Sequence, residues 1–257
     1  MNEIPVVRVG DGVDMPVIGF GTWQMNGQQA YDAVRWALAA GYRHIDTATM
    51  YKNEAEVGRA VRDSGVDRAE LFITTKLPPG NAGKERQTLT ESLRALGTDY
   101  VDLWLIHWPP RRSVASERAW RAFVELRAEG LCRAAGVSNY SLAEIDSLTA
   151  ATGQVPQVNQ IPWSPSQHDP VLLAALRDRG VVAEGYSPLR GTRLTAPVLV
   201  SIAQAHGVTA AQVVLRWHVQ LGIVVIPKSV HRERIESNLD LFSFDLTDQE
   251  MTALSSL

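Results

Sequence analysis

The chain is poor in cysteine: Cys132 is the only one among 257 residues, so no disulfide can form within it. One cysteine beside seven tryptophans is the usage of a reducing cytosol rather than of a disulfide-stapled secreted protein, and a cytoplasmic protein is expected. The start, Met1-Asn2-Glu3-Ile4-Pro5, lacks a basic segment followed by an apolar run, so no signal peptide is expected. No apolar run is long enough to span a bilayer. The most apolar late stretch, Val213 to Ile226, is interrupted by Arg216, His218 and Gln220. Charge of one sign is also lacking. A formal net charge of −3 gives no reason to expect nucleic acid or an anionic membrane as a partner. Low-complexity tracts and sequence repeats of 20–50 residues are absent. No partner motif is visible, so a monomer is the default expectation.

What is present is alternation. Strand-like runs occur at Pro16–Thr22, His44–Asp46, Leu71–Lys76, Val101–His107, Arg133–Ser138, Val155–Gln160, Val181–Tyr186 and Ile223–Pro227. Helical patterns lie between them, at Gln29–Ala40, Lys84–Leu96, Glu117–Glu129, Leu142–Ala151, Pro170–Arg179 and Ala196–His206. Gly41, Gly97, Gly130, Gly180 and Gly207 follow helical runs, where a left-handed C-terminal cap favours glycine. Ser141 and Asp169 stand where N-caps belong, and Pro170 follows Asp169 at the first helical turn. Eight strand-like runs alternating with helical patterns in about 250 residues predict one (β/α)8 TIM barrel spanning residues 1–257. Gly10-Asp11-Gly12, inside Val6–Met15, predicts an N-terminal β-hairpin that closes the barrel bottom. A doubly wound sheet would want a glycine-rich turn for a dinucleotide pyrophosphate. Gly19-Phe20-Gly21-Thr22-Trp23-Gln24 lacks the third glycine, which favours the barrel.

The C-terminal strand ends of a barrel carry its chemistry. Asp46 ends the second strand, Tyr51 follows on the loop, Lys76 ends the third strand and His107 the fourth. Singly, each reads as a loop charge, a packing ring or a core histidine. Together they would meet on one wall of the barrel mouth. Burying Lys76 there requires a counter-ion such as Asp46. A cation beside a phenol is expected to lower the pKa of Tyr51 and make it a general acid.

The spacing Asp46-x4-Tyr51, the strand-end Lys76 and the run Ile106-His107-Trp108-Pro109 resemble the catalytic tetrad of the aldo-keto reductase superfamily. The resemblance continues through Gly19–Trp23, Gly136-Val137-Ser138-Asn139, Asn159-Gln160, Tyr186-Ser187-Pro188-Leu189 and Ile226-Pro227-Lys228-Ser229, so it covers essentially the whole chain. It is most similar to prokaryotic members of the 2,5-diketo-D-gluconate reductase type. It implies NADPH-dependent reduction of aldehydes and ketones, with Tyr51 as proton donor, Lys76 and Asp46 tuning it, and His107 orienting the carbonyl. The cofactor residues it implies are Gly21, Thr22, Asp46, Ser138, Asn139, Gln160, Tyr186, Ser187, Leu189, Lys228, Ser229, Val230, Arg234 and Asn238. Of these, Lys228, Ser229 and Arg234 are expected at a 2′-phosphate. Substrate walls are expected from Trp23, Met50, Tyr51, His107 and Trp108, with a small-molecule carbonyl as partner and broad specificity.

Three features depart from the family pattern. Ser237 replaces a Glu, Arg190 replaces a Gly after Ser187-Pro188-Leu189, and the chain stops at Leu257, where family members commonly carry a pocket-covering tail. Two other functions stay open at the level of sequence. Lys76 could form a Schiff base as in class I aldolases, or the barrel could bind a nucleotide as a regulatory subunit with little turnover. A metal-dependent hydrolase ranks behind both. No close His-x-His or His-x-x-x-His pair exists, and no metal is expected.

Overall fold

The computed structural model describes residues 4–10, 12–110 and 113–257. The expected turn residue Asp11 and the expected leaderless start at residues 1–3 lie outside these. Two short strands, β1 (Val6–Val9) and β2 (Val13–Pro16), pair antiparallel with Val6 opposite Pro16 and Val9 opposite Val13. Eight parallel strands follow: β3 (Phe20–Gly21), β4 (His44–Asp46), β5 (Phe72–Leu77), β6 (Val101–Ile106), β7 (Cys132–Ser138), β8 (Val158–Pro162), β9 (Val182–Tyr186) and β10 (Val224–Val225). They lie side by side in chain order. The sheet then closes on itself. Ile18 bridges Val225 in parallel, and Gly19 N–H and Gly21 N–H donate to the carbonyls of Val225 and Pro227 at 2.9 and 3.0 Å. This is the expected (β/α)8 barrel with its N-terminal hairpin.

The strand expected at Pro16–Thr22 divides in two. Its first residue belongs to the hairpin, and only Phe20–Gly21 pairs in regular register. Between the two parts, Gly19 lies so close to β4 that a Cβ there would meet the His44 ring at 2.6 Å. A helix over Glu54–Ser64 (α2) and another over Ala210–Gln220 (α8) were not expected. The remaining helices are α1 (Gly27–Ala40), α3 (Glu85–Leu96), α4 (Ser113–Ala128), α5 (Leu142–Thr152), α6 (Pro170–Asp178), α7 (Pro197–His206), α9 (Arg232–Leu239) and α10 (Asp248–Leu254). Gly41, Gly97 and Gly207 are left-handed caps. Ser141 forms a capping box with Glu144, and Asp169 accepts from Val171 N–H and Leu172 N–H. At the end of α6, Arg179 is the cap and Gly180 lies one residue beyond it. Among the described residues no single helix is long and apolar enough to cross a membrane.

Period two along the strands sorts the barrel interior into layers. The lowest is apolar: Val9, Val13 and Met15 of the hairpin pack with Phe72, Leu103, Leu105, Ala134, Val158 and Val224. Above it sit His44, Thr74 and Glu184. At the C-terminal ends come Asp46, Lys76, His107, Ser138, Gln160 and Tyr186. The larger apolar core lies outside the sheet, between strands and helices, and includes Ile45, Trp104, Phe123 and Trp217.

Candidate active site

β4 and β5 are neighbours in register, with Asp46 opposite Thr74, so their terminal side chains Asp46 and Lys76 share one corner of the barrel mouth. Both are buried. Lys76 Nζ donates to Asp46 Oδ1 at 2.7 Å, to the Thr47 carbonyl at 2.9 Å and to Tyr51 Oη at 3.4 Å. Its three N–H bonds therefore have three acceptors. Tyr51 is presented by a single 3-10 turn, Thr49–Tyr51, fixed by Thr49 Oγ1 donating to the Lys76 carbonyl at 3.0 Å. The His107 ring stands edge-on to Tyr51, with centroids 5.7 Å apart. Its backbone N–H continues the β6 ladder to Leu77. The four residues expected to form one wall do form it.

Their electrostatics correct one expectation. Burial holds the Tyr51 phenol above its ordinary pKa, and the Lys76 ammonium pulls it down without overcoming that. Tyr51 thus keeps its proton at neutral pH. Burial opposes the charge on Lys76, but Asp46 and Tyr51 outweigh it and hold the ammonium above its usual range. Burial, with Lys76 adding to it, pushes His107 down to about 3. His107 is a neutral ring, and its buried Nδ1 has no hydrogen-bond partner.

These groups open into a cavity of about 420 Å3 lined by Gly21, Trp23, Asp46, Met50, Tyr51, His107, Trp108, Ser138, Asn139, Gln160, Tyr186, Ser187, Pro188, Arg190, Ile226 and Lys228. Every expected substrate-wall residue is on this lining. Trp23, Met50 and Trp108 form an exposed apolar rim. The opposite wall is a hydrogen-bonded set. Ser138 Oγ donates to the Gln160 carbonyl at 2.8 Å, Asn139 Nδ2 to the His107 carbonyl at 3.1 Å, and Tyr186 Oη to Asn139 Oδ1 at 2.8 Å. Asn139 and Ser187 take positive φ values of 65° and 54°, a strained backbone that recurs at ligand sites. At Gly21 a Cβ would approach the Ile226 carbonyl to 3.1 Å and narrow the cavity floor.

The structure does not bring every expected cofactor residue to this cavity. Thr22 is buried and bonded to the Asp46 carbonyl, and Leu189 packs on the outer core. Ser229 accepts from His231 N–H at 3.1 Å beyond Lys228. Val230, Arg234 and Asn238 lie further along the β10–α9 connection and on α9 itself. Arg232, two residues before Arg234, is occupied by Glu236 at 2.8 Å. Conversely, Glu184 and His44 beneath the tetrad were missed as site residues. The signal for Glu184 was available: it stands two residues before Tyr186 in one strand and so faces the same side.

The donor set fits a nicotinamide nucleotide. It offers two amides (Asn139 and Gln160), two serine hydroxyls (Ser138 and Ser187) and the half-buried ring of Tyr186, with the cations Arg190 and Lys228 also on the lining. Comparison with known proteins agrees. The Aldo/keto reductase family pattern matches residues 17–257. The chain is 44% identical over 272 residues to morphine 6-dehydrogenase of Pseudomonas putida, covering all of this chain and 92% of that one. It is 41% identical over 260 residues to methylglyoxal reductase DkgA of Yersinia pestis, covering all of this chain and 94% of that one. A solved structure of a Gox0644 variant in complex with NADPH superposes with a TM-score of 0.94 at 36% identity, over 99% of this chain and 93% of that one. The chain belongs to the aldo/keto reductase family.

Proposed function

We propose that this aldo/keto reductase converts aldehydes and ketones to alcohols with NADPH, and that Tyr51 donates the proton. One observation carries the reading. A buried ammonium, Lys76, is held by Asp46 at 2.7 Å while touching the Tyr51 hydroxyl at 3.4 Å, and Asp46 and Tyr51 both line a ligand-sized cavity. NADPH, when bound, supplies the hydride that reaches the carbonyl carbon. The oxygen then develops negative charge and takes the Tyr51 proton. Lys76 stabilises the phenolate left behind, and Asp46 keeps Lys76 charged and in place. A neutral His107 donates one N–H to the same oxygen, orients it and stabilises its charge. Tyr51 recovers its proton from solvent at the open mouth.

Ser138, Asn139, Gln160 and Tyr186 would hold the nicotinamide end, with Gly21, Asp46 and Ser187 beside it. Lys228, Ser229 and Arg234 would meet the 2′-phosphate. Thr22, Leu189, Val230 and Asn238 would support these loops from behind.

A Schiff-base role for Lys76 fits less well, because all three of its N–H bonds are committed and its partner Asp46 keeps it protonated. The substrate is expected to be a small aldehyde or activated ketone. The rim of Trp23, Met50 and Trp108 offers apolar surface and few polar anchors, which discriminate weakly. Within the family, the motif set supports a place near the 2,5-diketo-D-gluconate reductase type. One of the two relatives is named for dehydrogenating morphine and the other for reducing methylglyoxal, and that spread of named substrates supports breadth over a single substrate.

The deciding experiment is NADPH oxidation with a test aldehyde by wild type and Tyr51→Phe, alongside NADPH binding. Turnover should fall on the order of 10²–10⁴-fold with binding retained. Equal turnover in the variant would remove Tyr51 as the acid.

A further inference from the structure

Beneath Lys76 the buried polar chain continues to a carboxyl group that the reaction above does not use. Gln160 Nε2 donates to Asp46 Oδ2 at 2.9 Å and to Glu184 Oε2 at 2.8 Å. Glu184 is fully buried in β9. Its other oxygen, Oε1, has no hydrogen bond that meets ordinary geometry and lies 3.5 Å from His44 Nε2. His44 is in turn 3.4 Å from the Pro16 carbonyl through Nδ1 and 3.3 Å from Thr74 Oγ1 through Nε2.

Two constraints follow from this geometry. A primary amide has two N–H bonds, and in Gln160 both face carboxyl groups. Its carbonyl oxygen is then the only group it can offer to the cavity it lines. The second constraint is charge. Lys76 is one cation and Asp46 is its counter-ion. An ionised Glu184, across one amide from Asp46, would be a second buried anion with no cation of its own. The titratable groups facing Glu184 are His44 and Asp46 from β4 and Lys76 from β5, with Tyr51 beyond Lys76. β8 contributes Gln160 and β10 the apolar Val224. Burial and Asp46 push the Glu184 carboxyl up to about 8, and burial pushes His44 down to about 3. At neutral pH both members of the pair are therefore uncharged. In that state Glu184 carries one proton, with Oε1 toward His44 Nε2, and the neutral His44 carries its own on Nδ1, toward the Pro16 carbonyl.

We propose that Glu184 is a positioning residue that works in its protonated form: it locks the Gln160 amide with its oxygen toward the cavity and leaves Asp46 as the sole anion paired with Lys76. The oxygen so presented would accept from the carboxamide N–H of a nicotinamide. To that extent the inference rests on the nucleotide reading above. The protonation itself is a property of the free protein.

Infrared difference spectra of the free protein, wild type against Glu184→Gln, test the protonation directly. A carbonyl band of a protonated carboxylic acid should be present in wild type at pH 7 and missing from the variant. Its absence from wild type overturns the proposal. NADPH affinity, read by tryptophan fluorescence, tests the positioning. Glu184→Leu frees one N–H of Gln160 and should weaken binding on the order of tenfold, the worth of one hydrogen bond. Glu184→Gln keeps a neutral acceptor of the same shape. It should bind NADPH within about twofold of wild type at pH 7 and lose the weakening that wild type shows as Glu184 ionises near pH 8. Should Glu184→Leu fail to fold, Glu184→Gln decides alone: a loss beyond about tenfold in that neutral variant, or an unchanged alkaline decline, overturns the proposal. Failure of wild type to bind NADPH at all would instead sink the functional reading, while the infrared band still decides whether Glu184 carries its proton.

Discussion

The two ends of the barrel are built to opposite rules. At the N-terminal end, the hairpin residues Val9, Val13 and Met15 fill the bore against Phe72, Leu103 and Ala134 in an apolar cluster. The buried carboxylate near that end, Asp102 at the start of β6, is fully answered. It takes Arg68 at 2.7 Å, Arg133 at 2.8 Å and the Ile73 N–H at 2.9 Å. Toward the C-terminal end the bore is polar, His107 Nδ1 and Glu184 Oε1 lack hydrogen bonds, and the one ammonium, Lys76, is paired with Asp46 while Glu184 is reached only through the Gln160 amide. Backbone strain divides the same way. Among the described residues, the non-glycine residues at positive φ are Gln24, Lys52, Asn139 and Ser187, all in loops that leave the C-terminal strand ends. One end is arranged for stability, and the other keeps imperfectly satisfied groups where a ligand can complete them.

Lys76→Met should break this division most severely. It removes the ammonium that serves Tyr51, so NADPH oxidation should fall on the order of 10²–10⁴-fold. It also strands Asp46 without a counter-ion, since the pair is buried on both sides, and stability in urea should drop by about 3–5 kcal/mol. If turnover and stability both survived, the corner of Asp46, Lys76 and Tyr51 would be neither catalytic nor costly, and the contrast between the two ends would vanish.

Met15→Ala probes the opposite end. Met15 is fully buried in the hairpin plug, and its truncation leaves a cavity under the lowest layer. Urea unfolding should register a loss of about 2–5 kcal/mol. Under conditions where the variant is folded, kcat and KM should stay within about twofold of wild type. A larger fall in kcat would mean that the plug transmits its packing through His44, which reaches the Pro16 carbonyl of the hairpin.

The C-terminal end was the more legible in sequence, because it is written in scarce residue types at strand ends. Asp46, Tyr51, Lys76 and His107 stood out from apolar runs and do meet. Local signals failed where the decisive partner is remote. Pro16 is drawn into the hairpin by its pairing with Val6, a partner ten residues earlier, which a strand-like run read by itself does not disclose. The helix at Glu54–Ser64 went unseen although its apolar face, Val57, Ala60 and Val61, has helical spacing. Ala210–Gln220 drew attention as an apolar run rather than as a helix opened by the capping box of Thr209 and Gln212. The direction of the Tyr51 shift is not legible in sequence, which supplies the neighbour, Lys76, but not the depth of burial that outweighs it. Glu184 was legible as a strand residue but not as a partner, because Gln160, which links it to Asp46, arrives from another strand.

The smallest expected effect concerns pH, and it should separate the two ends without any catalytic assay. His44 and His107 titrate near 3 in the fold instead of 6.5, so between those values the unfolded chain binds more protons. Stability must fall as pH drops from about 6.5 toward 3. Glu184 acts in the other sense: its carboxyl titrates near 8 in the fold instead of 4.5, so there the native state binds the extra proton. Stability must fall again as pH rises from about 4.5 toward 8, and the polar end alone therefore bends the stability curve from both sides. Glu184→Gln removes the alkaline limb and leaves the acid limb. Thermal melts at pH 5.5 and pH 8 should show the Tm of Glu184→Gln gaining on wild type with rising pH. The gain should be about 2–4 °C for each kcal/mol removed from that limb in a chain of this size. A substitution in the dry plug, such as Met15→Ala, should lower Tm by the same amount at both pH values. A gap between Glu184→Gln and wild type that stays constant with pH would show that Glu184 is already ionised in the fold, and that Lys76 serves both carboxylates.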